Sequence, residues 1–155
     1  MKPGLQPTNV YEPYSPAGRL MLGGEVLLTY IRVRLLLWRR DLPSVVAAID
    51  AEDPARPPQA EGIASVKLGA RLARVTSRCL APLPAESRCL AQSLVLMALM
   101  ARRGVASALV IGVRPGSDFG AHAWVEREGM PLLPSGGDSY SRLLALGERS
   151  QASQP

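Results

Sequence analysis

Aromatic residues, histidine and cysteine are the scarce components of this chain. Its 155 residues include one Phe, two Trp, four Tyr, one His and two Cys. With 5% aromatics against 47% hydrophobic residues, a core built on stacked rings is excluded, and the interior must be leucine, valine and alanine. One histidine and two cysteines fall short of the four ligands of a usual zinc site. No apolar run approaches the ~20 residues of a membrane-spanning helix, because Gly23-Gly24, Arg32 and Arg34 interrupt the segment Gly18 to Arg40. Long blocks of one charge are also missing. The net charge of +5 comes from scattered arginines, most of them read as solvated faces. That balance suits an acidic peptide or protein partner and gives no nucleic-acid footprint. The first sixteen residues carry four prolines and lack the apolar centre of an export signal. A cytoplasmic, reducing location follows as the expectation, with no Cys79–Cys89 disulfide.

A single composition regime and this length point to one structural unit of sufficient size for a real core. Residues 1–16 read as an extended arm, 17–62 as a helical region with a proline-rich loop, 63–147 as the core, and 148–155 as a disordered tail. Helical spacing of apolar residues predicts helices over Gly18 to Arg40, Leu42 to Ile49 and Ile63 to Leu80, with DAEDPARPPQAEG (50–62) as a loop. The first of these reads as an amphipathic helix packed on the core or docked to a partner protein, in preference to a membrane surface.

The stretch Ser87 to Glu126 holds the best candidate nucleophile and the only histidine. Leu90, Leu94, Met97, Ala98 and Ala101 recur at helical spacing while Val95, Leu96, Leu99 and Met100 fill the other faces, which predicts a central helix buried nearly all round. Ser87 is the expected N-cap, and Arg102-Arg103-Gly104 the basic last turn and glycine stop. Cys89 then falls in the first turn, where unpaired N–H groups and the positive dipole end favour an anion. Its own N–H would be half of an oxyanion hole, with Gln92 a candidate for the rest. Cys79, near the end of a helix, lacks that advantage and reads as a packed thiol. Downstream, Ala108 to Val113 and Ala121 to Glu126 read as strands, the latter turning through Arg127-Glu128-Gly129 into Met130 to Leu133. Alternation places His122, Trp124 and Glu126 on one face. A thiol at a helix start and an imidazole on an antiparallel sheet are the parts of nucleophilic acyl transfer. The predicted class is α+β, with a transglutaminase- or papain-like core and an N-terminal helical region.

The pattern Cys89-Leu90-x-x-Ser93-Leu94, then Arg102-Arg103-Gly104, Val110-Ile111-Gly112-Val113-Arg114 and Ala121-His122-Ala123-Trp124-Val125-Glu126 resembles the lasso-peptide leader peptidases, and most closely their stand-alone B2 form, over about residues 75–145. The resemblance implies a cysteine protease of Cys-His-Asp type that needs no cofactor or metal. Its substrate would be a ribosomally made precursor peptide, and its partners a leader-binding B1 protein and a macrolactam-forming lasso cyclase. It further implies an acidic residue near position 134 to orient His122. Pro134 and Ser135 stand there instead, and Asp138 is taken as the third member, with Ser135, Glu126 or a backbone carbonyl as alternatives, since the role needs only an acceptor. Two other functions are compatible with the same residues: a transglutaminase-like acyltransferase, and a peptide-binding module without catalysis.

Overall fold

The Ser15 hydroxyl accepts a hydrogen bond from the Gly18 N–H at 3.2 Å, and Pro16 takes the first helical position, where its missing N–H costs nothing. α1 (Pro16–Arg39) therefore starts two residues before the apolar pattern does. The computed structural model describes residues 15–51, 60–115, 119–136 and 139–147. Most of the expected arm, much of the proline-rich loop, the 116–118 turn, Asp138 and the 148–155 tail lie outside the described residues.

α2 (Leu42–Asp50) opens on Asp41, whose carboxylate accepts from both the N–H and the hydroxyl of Ser44. Those two bonds hold the Asp41 carboxyl below its ordinary range. α3 spans Gly62–Cys79 and α4 spans Ala85–Ala101. β1 (Ala108–Arg114), β2 (Gly120–Arg127), β3 (Met130–Pro131) and β4 (Ser141–Leu146) form one antiparallel sheet in the order β3-β2-β1-β4. The class is α+β, with the helices ahead of the sheet in sequence, as expected.

α4 is the centre of the core. Leu94, Val95, Leu96, Met97, Leu99 and Met100 are all at most 1% exposed, and α1, α2, α3 and the sheet all pack on this helix. Burying a side chain of this size stabilises by about 1.5–3 kcal/mol, so a helix wrapped on every side anchors the fold. Polar links fasten it to α1: Arg103 reaches both carboxylate oxygens of Glu25, at 3.2 and 2.8 Å, and also the Leu99 carbonyl. Arg102 donates to the Thr29 hydroxyl, itself bonded to the Glu25 carbonyl.

α1 departs from a simple amphipathic helix. Leu22, Val26, Thr29 and Val33 face the core, while Leu20, Met21, Leu27, Leu28, Ile31, Leu35 and Trp38 are exposed. It is apolar on two sides, which is why its sequence looks hydrophobic almost throughout. Among the described residues no helix is long and apolar enough to cross a membrane.

The hairpin turns on two residues, Glu128 and Gly129. Glu128 and Gly129 both adopt left-handed backbone (φ 53° and 73°), the two-residue connection whose twist matches antiparallel strands, and Arg127 pairs Met130. β3 ends at Pro131, short of the expected Leu133; the Leu132 N–H still bonds the Val125 carbonyl, and Pro134 has no N–H to carry the ladder further. β4 was not anticipated at all: Ser141-Arg142-Leu143-Leu144-Ala145-Leu146 has the composition of a helix and pairs with the otherwise open edge of β1.

Candidate active site

Cys89 stands deeper in its helix than its sequence context indicated. α4 begins at Ala85 with Pro84 at the cap, so Ser87 is inside the helix and Cys89 is its fifth residue. Helical bonding from Ala85 onward pairs the Cys89 N–H with the Ala85 carbonyl. The expectation that this N–H is free for an oxyanion hole is therefore corrected: the proline at 84 supplies the stop, and the helix gains one more turn than a serine cap would give. Gln92, one turn on, is half-buried. Residues 88–90 are half-buried whereas the rest of the helix from Ala91 on is closed off almost completely, so Cys89 occupies the accessible end of an otherwise enclosed element. Arg88 ties that end to the preceding turn through the Ala81 carbonyl at 3.1 Å.

Both cysteines are free thiols. Cys79 is the last residue of α3, packed against the core, and a Cβ built on Gly23 of α1 would lie 3.9 Å from its sulfur.

α4 packs on β2, the strand that carries His122, and β2 runs antiparallel to β1. Met100, at the far end of α4, meets Leu132 over Gly69 of α3, and the Leu132 N–H bonds the Val125 carbonyl. That match puts the end of α4 beside the end of β2.

His122 is held on several sides. Its Nε2 lies 2.6 Å from the carbonyl oxygen of Pro134. A carbonyl only accepts, so Nε2 carries the proton, and in the neutral ring Nδ1 keeps its lone pair. The Trp124 ring stacks at 6.0 Å between centroids, and Tyr140 approaches at 5.3 Å with a 41° tilt. The row predicted from alternation is real: the Trp124 indole N–H donates to Glu126 at 2.8 Å, and Arg142 of β4 binds the other Glu126 oxygen at 3.1 Å. Glu126 is thus engaged by Trp124 and Arg142, four residues along the strand from His122, and is not its orienting acid. Ser135 is half-buried, and Asp138 lies outside the described residues.

A model of the transglutaminase-like superfamily matches residues 27–145. The chain belongs to the transglutaminase-like superfamily. That superfamily includes cysteine peptidases and acyltransferases, and a core helix laid along a small antiparallel sheet is the arrangement found here. The match starts inside α1, so the N-terminal helices are part of the transglutaminase-like region. No curated protein and no solved structure matches the chain.

Tyr140 is the site residue that sequence reasoning missed. It stands in a segment without periodicity, and the only signal was an aromatic shortly after Gly136-Gly137 in a chain with few aromatics.

Proposed function

We propose that this transglutaminase-like chain is a cytoplasmic cysteine peptidase that removes the leader from a lasso-peptide precursor, beside a leader-binding partner and a macrolactam-forming cyclase. The observation that carries the catalytic part is the Nε2–Pro134 bond: it leaves Nδ1 of the only histidine as a base, on the strand against which the Cys89 helix packs. The lasso substrate and the two partners rest on the sequence resemblance.

Cys89 gives its thiol proton to His122 Nδ1, and the sulfur attacks the carbonyl carbon that joins leader to core peptide. The C–N bond of the tetrahedral adduct breaks as the imidazolium returns that proton to the departing amine. Water then adds to the thioester, releasing the leader carboxylate and restoring the thiol. The same intermediate accepts an amine in an acyltransferase, and the product mass separates the two reactions.

Iodoacetamide labelling tests the pair without a substrate. Cys89 labels faster than Cys79, and His122→Ala slows Cys89 without altering Cys79. Equal rates for both thiols, unmoved by His122→Ala, would contradict the assignment.

A further inference from the structure

The resemblance implies a carboxylate that orients the histidine, and the position where it belongs is proline. The structure nonetheless shows the orienting bond made. We propose that the Pro134 backbone carbonyl takes the acid's place, and that Tyr140 is the positioning residue that holds imidazole and carbonyl together. This rests on the reading of His122 as the catalytic base.

The first ground is occupancy. Nε2–H has one proton to donate, and at 2.6 Å it is donated to Pro134. A carboxylate at Asp138 would have to displace that carbonyl or bind Nδ1, and binding Nδ1 would remove the base. Pro134 suits the role because, with no N–H, it cannot pair back onto the sheet and its chain leaves the ladder after Leu132.

The second ground is the setting of Tyr140. Its ring lies against the imidazole at 5.3 Å. It also lies against the loop that carries the carbonyl: a Cβ built on Gly136 would come within 2.5 Å of the Tyr140 ring. Gly136 adopts φ 75°, which keeps the loop backbone close under the ring. On the other side, a Cβ on Gly112, the register partner of His122, would lie 3.1 Å from the Tyr140 Cβ and 2.8 Å from the Trp124 ring. The Arg114 guanidinium, 5.5 Å from the ring centre, covers Tyr140 from the strand end. One ring thus lies against the imidazole and against the loop that carries the carbonyl, two residues beyond it, and the backbone on each side is trimmed to admit the ring. The role requires the ring, which makes every one of these contacts, so phenylalanine should substitute.

The chain has a single histidine, so imidazole 15N shifts report its tautomer without assignment and without substrate. In mildly alkaline solution wild type, Tyr140→Phe and Asp138→Asn each give the Nε2–H pattern. Tyr140→Ala and, independently, Gly136→Ala give averaged tautomer shifts while the far-UV spectrum stays native. With a cleavable precursor, kcat in Tyr140→Ala falls on the order of 100-fold, as for misplacement of a catalytic group, and Tyr140→Phe restores it. A lost Nε2–H pattern in Asp138→Asn, or an unchanged pattern in both Tyr140→Ala and Gly136→Ala, would overturn the proposal. Absence of cleavage by wild type would instead overturn the peptidase reading and leave the tautomer result standing.

Discussion

His122 Nε2 and the Pro134 carbonyl oxygen are 2.6 Å apart, and this bond joins a strand to a loop that has already left the sheet. It fixes the ring without any titrating partner among the described residues. The remaining side chains around it, Trp124 and Tyr140, hold the imidazole by contact. Rigid placement of a base by packed neighbours is what a thiol-histidine pair requires.

That packing makes Gly112 the most sensitive small residue of the sheet. A methyl at this position would press on the Trp124 ring at 2.8 Å, in a site with no room to yield. Gly112→Ala is expected to cost about 1–3 kcal/mol, the usual penalty of overpacking. Urea unfolding measures it, and a midpoint unchanged from wild type would show that the ring is not seated as described.

Glu25 links α1 to the end of α4 through both oxygens, with side chains of 29% exposure for Glu25 and 15% for Arg103. Truncating it leaves the Arg103 guanidinium with only the Leu99 carbonyl among these partners. Glu25→Ala is expected to destabilise by about 1–3 kcal/mol, the range for hydrogen bonds to charged groups, discounted to the lower half because the pair is partly solvated. Thermal unfolding at low and high salt checks it, with the difference shrinking in high salt.

Ser93 presents the opposite case. Its hydroxyl is fully buried one turn beyond Cys89 and has no hydrogen-bond partner among the described residues. Ser93→Ala removes a desolvated polar group and should leave stability equal to wild type or raise it by up to about 1 kcal/mol. A loss of stability would reveal a partner for this hydroxyl.

The helices were legible in the sequence because their apolar residues repeat at helical spacing, and the central helix was identified correctly from Leu90 to Ala101. Its start was misplaced because Ser87 has the stronger capping chemistry, while Pro84 ends the preceding turn and starts the helix earlier. The His122-Trp124-Glu126 face was legible because alternation in a strand is strict. β4 and Tyr140 were not: the 141–146 segment carries leucine, alanine and arginine, and only the open edge of β1 makes it a strand. The outward apolar side of α1 was hidden for a related reason, since periodicity cannot separate two apolar faces from one broad one. A backbone carbonyl was among the acceptors the sequence left open for His122, but side-chain identity could not say which carbonyl, and the one at 2.6 Å is that of Pro134.

The central claim is that Cys89 is the nucleophile of a leader-removing reaction. The decisive measurement is the intact mass of a lasso precursor peptide after incubation with this protein and the leader-binding partner, for wild type, Cys89→Ala, Cys79→Ala and His122→Ala in parallel. The account predicts loss of the leader, with one water added across the two products, for wild type and Cys79→Ala, and an unchanged precursor for Cys89→Ala and His122→Ala. Leader removal by Cys89→Ala at the wild-type rate would contradict it.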